Sequence, residues 1–377
     1  MRAWDPRYTL TPAVARGLMA IEAARTVVAH TPLSAAVATE LRRRARLRST
    51  HYSTRIEGNR LTLDEAERVI AKRETFSGRE RDVGEVRNYW SALLRVEEWA
   101  AARRELAEDV IRRIHGMVMR GARASGTPYR DGQNAVRNAA TGAIVYLPPE
   151  AKDVPSLMGG MVEWARDAGK AGVPTPVIAG LVHYQFVTIH PYYDGNGRTA
   201  RLLATFLLHR GGYGLNGFLS VEEHHARDLA AYYEALAAHP HHNYYEGRAS
   251  VDLTPWLDYF IALLARVFGE VQREAERLMG EKSAAEPEAL RRLDARARAV
   301  LGLFARSELV TAHDVAETLG LSERMARNLL KGWVSQGWLE AADASRRKRA
   351  YRVSAVYRQY IGNPSAMSRN TLRDRMI

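Results

Sequence analysis

His190-Pro191-Tyr192-Tyr193-Asp194-Gly195-Asn196-Gly197-Arg198-Thr199-Ala200-Arg201 decides how this chain reads. On one side Ile178, Leu181, Val182, Gln185, Phe186 and Ile189 recur at three- and four-residue spacing, and on the other Leu202 to Leu208 form a second apolar pattern. The quoted segment is therefore a loop that enters a helix N-terminus. Gly195 and Gly197 permit backbone angles that turn consecutive N–H groups into one concavity, and the positive end of the helix dipole adds to it. Such a concavity binds phosphate. Arg198 and Arg201 fall three apart on the first turn, hence on one face, where guanidinium forks hold phosphate oxygens bidentately. Asp194 offers a hard oxygen ligand for a magnesium ion that also takes phosphate oxygens. His190 is the side chain here whose ordinary pKa lies near neutrality, so it can accept a proton from an attacking hydroxyl. Each element alone is weak, but their combination within twelve positions calls for a polyanion.

Working outward, most of the chain reads helical, with Ala, Leu, Arg and Glu dominant. The clearest strand signal lies between Gln133 and Pro149, where QNAVRN and AIVYL flank Ala140-Thr141-Gly142 and predict a short β-hairpin. A helix over about Leu253 to Met279 leads into EKSAAEPEAL, whose charge and Pro287 predict a connector. Beyond it, an apolar helix ends near Phe304, Thr311 to Leu319 and Ser322 to Gln336 predict two more helices around Gly320, and Thr311 and Ser322 are suitable N-caps. Gly337 to Glu340 and Ala350 to Val353 then predict two strands around a basic loop, the layout of a winged helix-turn-helix. That unit contacts either DNA or protein.

With 377 residues and 46% hydrophobic content the chain can fill more than one core. It carries no run of eighteen apolar residues and no apolar N-terminal run, so no membrane partner is expected and the expected compartment is the cytoplasm. The absence of cysteine excludes disulfide scaffolds, thiolate metal sites and cysteine nucleophiles. The net charge of +12 is concentrated at one end: Leu290 to Ile377 hold seventeen Lys/Arg against eight Asp/Glu. A basic balance of that size favours acidic partners.

The quoted segment resembles the Fic signature His-x-Phe-x-(Asp or Glu)-Gly-Asn-Gly-Arg-x-x-Arg and departs from it only at Tyr192, where the family has Phe. The Tyr192 side chain is expected to be buried, so its hydroxyl must find a partner or cost stability. Gly197 stands where a kinase branch of the family has Lys, so the resemblance implies nucleotidyl transfer. The similarity extends over about Tyr8 to Leu264. It places a target-docking flap at 133–149 and adenine-flanking tyrosines at Tyr232 and Tyr233. Upstream, Ser53-Thr54-Arg55-Ile56-Glu57-Gly58 resembles the inhibitory (Ser or Thr)-x-x-x-Glu-(Gly or Asn) motif.

The fold this implies is mainly α: a Fic-type helical core with a short β-hairpin flap, plus a small winged-helix domain. Its expected divisions are an N-terminal helical region over 1–105, a catalytic core over 106–285, the winged helix over 286–360 and a tail over 361–377. The implied activity is protein adenylyltransfer with ATP and Mg2+ or Mn2+. Phosphates lie over Gly195, Asn196, Gly197 and Arg198, the metal sits on Asp194, Arg201 engages the γ-phosphate and His190 takes the proton of a Tyr, Thr or Ser hydroxyl. Glu57 would restrain the site by pairing with Arg201, and Ser53 belongs to the same inhibitory motif. Removal of AMP at the same site, transfer of UMP, self-modification, a nucleotide-sensing DNA regulator, DNA contact through 311–353 and a homodimer stay open.

Overall fold

The computed structural model describes residues 4–33, 35–137, 141–237, 242–285, 293–305, 307–342 and 349–358. It divides into two units, Met1–Met279 and Gly280–Ile377. The first is helical. Helices α1 (Pro12–His30), α2 (Ala35–Ile56), α3 (Leu63–Lys72), α4 (Glu80–Ala101), α5 (Glu108–Arg120), α6 (Val154–Lys170), α7 (Thr175–Ile189), α8 (Asn196–Arg210), α9 (Glu222–Arg227), α10 (Leu229–Ala237) and α11 (Thr254–Ala285) follow in order.

The α7–α8 pair forms the axis because its sequence leaves it no wet face. Every residue of α7 except Thr175 and Val187 is buried, and in α8 only Gly197, His209 and Arg210 escape burial. The apolar residues of both helices are spread around their circumference, and the buried polar ones, such as His183 and Arg201, are hydrogen-bonded. Around this axis α4, α5 and α2 pack on α8 and α6 packs on α7. Ile21, Tyr89, Ile111, Phe186, Phe206, Trp256 and Phe260 join one core, each contributing roughly 1.5–3 kcal/mol by burial.

A second, smaller apolar cluster lies between α2, α3 and α4, built from Leu47, Leu61, Val69, Val83 and Val86. Thr62 and Glu65 close a reciprocal capping box at the start of α3. Together they fix the turn from Glu57 to Leu61 that leaves α2.

The expected hairpin is present as β1 (Val136–Arg137) and β2 (Ile144–Tyr146), antiparallel with Val136 opposite Tyr146. The far side of β2 is engaged by the 242–244 segment, through Leu147 N–H to His242 C=O at 2.7 Å and Tyr244 N–H to Leu147 C=O at 3.0 Å. Among the described residues β1 pairs with no other strand. The helix predicted to end at Met279 runs on to Ala285, because Glu281 to Ala285 are good helix formers and nothing breaks them. Pro287 lies outside the described residues.

In the second unit α12 (Ala295–Leu301), α13 (Ala312–Leu319) and α14 (Glu323–Ser335) are capped by Asp294, Thr311 and Ser322. Strands β3 (Val310–Thr311), β4 (Leu339–Ala341) and β5 (Ala350–Val353) form an antiparallel sheet in the order β3-β5-β4, followed by α15 (Ala355–Arg358). Val300, Phe304, Leu330, Trp333, Trp338 and Tyr351 form its core. The basic residues Arg346 to Lys348 and the 361–377 tail lie outside the described residues. No described helix is long and apolar enough to cross a membrane.

Candidate active site

His190 ends α7 in the left-handed conformation, at φ 51° and ψ 58°, with its N–H on the Phe186 carbonyl at 3.0 Å. A side chain other than glycine rarely adopts that backbone, and its strain is held by the surrounding packing. The imidazole Nδ1 lies 3.2 Å from the Val187 carbonyl. A carbonyl only accepts, so Nδ1 carries the proton and Nε2 keeps its lone pair. Burial, reinforced by the charge of Arg130, lowers the His190 pKa, so the ring is neutral at pH 7.

From His190 the loop is shaped by side chains that cap its own peptides. Asn196 accepts the Tyr192 N–H at 3.0 Å and returns its amide to the Tyr192 carbonyl at 2.8 Å, while Asn134 donates to the same carbonyl at 2.9 Å. Gly195 takes φ 76° and caps α8. Gly197, read as a second turn residue, is instead helical; its role is spatial, as shown below. The first helical hydrogen bond is Thr199 N–H to Gly195 C=O at 3.0 Å, which leaves the amides of Asn196, Gly197 and Arg198 without a helical acceptor. Three such amides at a helix start form an anion seat.

Both motif arginines are buried and held by carboxylates. Arg201 donates from Nε to Ser53 Oγ at 2.8 Å and from Nη2 to the Ser53 carbonyl at 2.9 Å and Glu57 Oε1 at 2.8 Å. Burial works against the Arg201 charge, but the Glu57 carboxylate with Tyr232 and Tyr89 outweighs it and raises the pKa. Arg198 meets Asp194 Oδ1 at 3.2 Å and Glu85 Oε1 at 3.4 Å. Asp194 itself is more than half exposed and accepts the Gly195 N–H at 2.6 Å.

The two tyrosines separate. Tyr233 is 48% exposed, whereas Tyr232 is 1% exposed, bonded through its hydroxyl to His183 Nε2 at 2.9 Å and packed on His225. Tyr232 is thus core, in contact with the buried floor beneath Arg201. That floor also contains Glu222, which accepts from Ser49 at 2.7 Å and Tyr89 at 3.0 Å and whose pKa is raised by burial.

Tyr192 is buried, stacked on His115 at 3.6 Å between ring centres, and its hydroxyl finds no partner among the described residues. His115 Nε2 lies 2.8 Å from the Asp194 carbonyl, and burial pushes its pKa down to about 4, so the neutral ring donates to that carbonyl. Sequence reasoning passes over His115, and also over Arg130. The latter is 4% exposed and donates to the carbonyls of His190 at 3.0 Å, Gly132 at 2.9 Å and Pro149. It ties the His190 loop to both ends of the hairpin. The one local signal is an arginine beside the Asp131-Gly132 turn, too common a pattern to read.

The model of the Fic/DOC family matches residues 105–208. The chain is similar to protein adenylyltransferase Fic of Drosophila ananassae, 26% identical over 199 residues, which is 52% of this chain and 39% of that protein. It is also similar to protein adenylyltransferase fic-1 of Caenorhabditis briggsae, 28% identical over 166 residues, 43% of this chain and 32% of that protein. It therefore spans about two fifths or less of the length of these curated relatives. Among solved structures, a Fic family protein from Desulfovibrio desulfuricans aligns with TM-score 0.59 at 26% identity over 93% of this chain and 99% of its own. A Fic domain containing signaling protein from Bacteroides thetaiotaomicron aligns with TM-score 0.59 at 24% identity over 70% of this chain and 97% of its own. The loop that presents His190, the open amides and the paired arginines lies within residues 105–208, the stretch that the model of the Fic/DOC family matches.

Proposed function

We propose that this protein transfers AMP from ATP to a Tyr, Thr or Ser hydroxyl of a protein target, and that Glu57 restrains the reaction. The observation that carries this reading is the His190 tautomer: Nδ1–H is occupied by the Val187 carbonyl, so Nε2 keeps the lone pair that a base needs. His190 takes the proton of the incoming hydroxyl, whose oxygen bonds to the α-phosphorus as the bond to the β-phosphate oxygen breaks and pyrophosphate leaves. The helix-start amides and Arg198 hold the phosphate chain, and alignment with charge neutralisation supplies most of the acceleration. No group of three His, Asp or Glu side chains suited to a metal occurs among the described residues. Asp194, half exposed and single, fits a Mg2+ or Mn2+ that takes its other ligands from phosphates and water. Bound there, the ion would neutralise phosphate charge.

Glu57 occupies the guanidinium that the γ-phosphate would need. A displaced phosphate tail misaligns the α-phosphorus, and an error on the order of 1 Å costs about a hundredfold in rate. Target backbone is proposed to add to the open edge of β1 in the 133–149 flap, and Tyr233 is the exposed aromatic proposed to flank the base. The deciding experiment is incubation with Mg2+ and α-labelled ATP or UTP, read by mass spectrometry of the protein and of lysate. AMP on protein supports the reading; UMP alone, AMP removal alone from a modified target, or no label on any protein would replace it.

The second unit supports a separate partner. Helix α14 exposes Arg324, Arg327, Asn328, Lys331 and Ser335 along one face, with Ser322 capping its start and β4–β5 beside it. We infer that this winged helix-turn-helix places α14 in the major groove of duplex DNA. Binding to a mixed-sequence duplex should weaken steeply with salt, and Lys331→Ala should lower the log–log slope by roughly one. No binding at low salt would assign the face to protein contact.

A further inference from the structure

The contact between Glu85 and Arg198 is not explained by the phosphate loop itself. Glu85 lies on α4, outside residues 105–208, and its side chain is 12% exposed. Its Oε1 faces Arg198 Nη1 at 3.4 Å and accepts from Arg81 Nε at 3.1 Å, and its Oε2 accepts from Asn59 Nδ2 at 3.0 Å. Asn59 belongs to the turn that begins at Glu57. It also donates to the Asp82 carbonyl at 2.9 Å and accepts the Leu61 N–H at 3.1 Å. One carboxylate therefore joins the Glu57 turn, α4 and the first motif arginine. A polar cavity of about 280 Å3 opens on the other side of this network, with Glu57, Arg60, Asp82 and Glu85 in its wall.

The two ends of the Arg198 guanidinium are used differently. Nη1 is directed to Glu85, whereas Nη2 is directed to Asp194 Oδ1 and Met119 Sδ at the loop. Nε is buried without a partner among the described residues, so the rotation of the group is set through its two Nη ends. With only 3% of the side chain exposed, water does not fix it. Glu85 from α4, and Asp194 from the loop, together set which edge of Arg198 faces the phosphate seat, and Glu85 is the one of the two that lies outside the loop. It differs from Glu57 in being anchored on a helix by three donors on different elements, so a bound phosphate chain has no need to displace it.

We propose that Glu85 is a positioning residue that presents the Nη2 edge of Arg198 to the nucleotide phosphates, and that Asn59 ties the Glu57 turn to the same carboxylate. This rests on the nucleotide reading of the site. A buried guanidinium with a fixed counter-carboxylate is pre-organised, and the loss of such an anchor is felt where the phosphates bind rather than at the base.

The test uses the full-length Glu57→Gly protein, so that Glu57 does not compete, with binding of Mg-ATP and of adenosine measured by calorimetry. Adding Glu85→Gln should weaken ATP binding about tenfold and leave adenosine binding within twofold, and Glu85→Asp, which keeps the charge, should restore part of the loss. Equal loss for ATP and adenosine would mean general damage and overturn the proposal, as would no loss for either. The AMP-transfer reading fails separately: if Glu57→Gly binds ATP but labels no protein, the selective loss with Glu85→Gln still decides the role of Glu85. If Glu57→Gly binds no ATP, both readings fall.

Discussion

Glu57 rests its carboxylate directly over Gly197: a Cβ at that glycine would stand 2.3 Å from Glu57 Oε1 and 3.2 Å from Arg201 Nη1. The glycine therefore admits the Glu57 carboxylate, and it leaves room for the proposed phosphate. Glu57→Gly should raise AMP transfer, self-labelling included, by roughly tenfold or more, well beyond its effect on nucleotide affinity. Gly197→Ala also expels Glu57 but crowds the phosphate seat, so it should show no comparable gain. Labelling with α-labelled ATP checks both, and equal gains would show that the glycine has no part in the seat.

Arg201→Ala should be inactive alone and should stay inactive when combined with Glu57→Gly, because the proposed γ-phosphate clamp is gone. Activity of the double variant equal to that of Glu57→Gly would remove Arg201 from the mechanism. The same labelling assay reads it.

His190→Ala should nearly abolish transfer in the Glu57→Gly background while ATP affinity stays within a few-fold. The pH profile has a fixed sign. The base must be neutral, and burial lowers its pKa from the usual 6.5. Transfer should thus be level through pH 7 and decline only on the acid side of the ordinary imidazole range. A decline already beginning above pH 7 would contradict the assignment.

Tyr192→Phe should stabilise the protein. The hydroxyl is buried without a partner, and removing such a group recovers roughly 1–2 kcal/mol, or a few degrees in Tm for a unit of this size. Labelling activity should be kept. A fall in Tm would mean that the hydroxyl is satisfied in solution.

Acid should destabilise the fold through its buried neutral histidines. Burial lowers His183 to about 3, His115 to about 4 and His225 well below 6.5. These folded values are depressed, so the unfolded chain binds the extra protons below pH 6.5. Their contribution is complete above that pH and is lost as pH falls toward the folded values, at up to about 1.4 kcal/mol per pH unit for each ring. Tm measured from pH 7 to pH 5 should fall, and His115→Phe should flatten the slope.

What the sequence determined by itself is what twelve contiguous residues can encode. The αL turn at Gly195, the open amides of α8 and the helix caps at Thr311 and Ser322 are local events, set by a few neighbouring side chains. The three- and four-residue apolar spacing of α7 is likewise legible without reference to any partner. The tertiary structure decided the contacts that cross the chain. Glu57 reaches Arg201 over 144 positions, and only the resemblance pointed to it. Glu85, Asn59, Arg130 and His115 carry no local pattern, because residues of these types recur along the chain and only packing selects which of them meet. The same holds for Tyr232 and Tyr233: neighbouring positions on a helix point about 100° apart, so the packing of α10 sent one ring into the core and left the other at the surface.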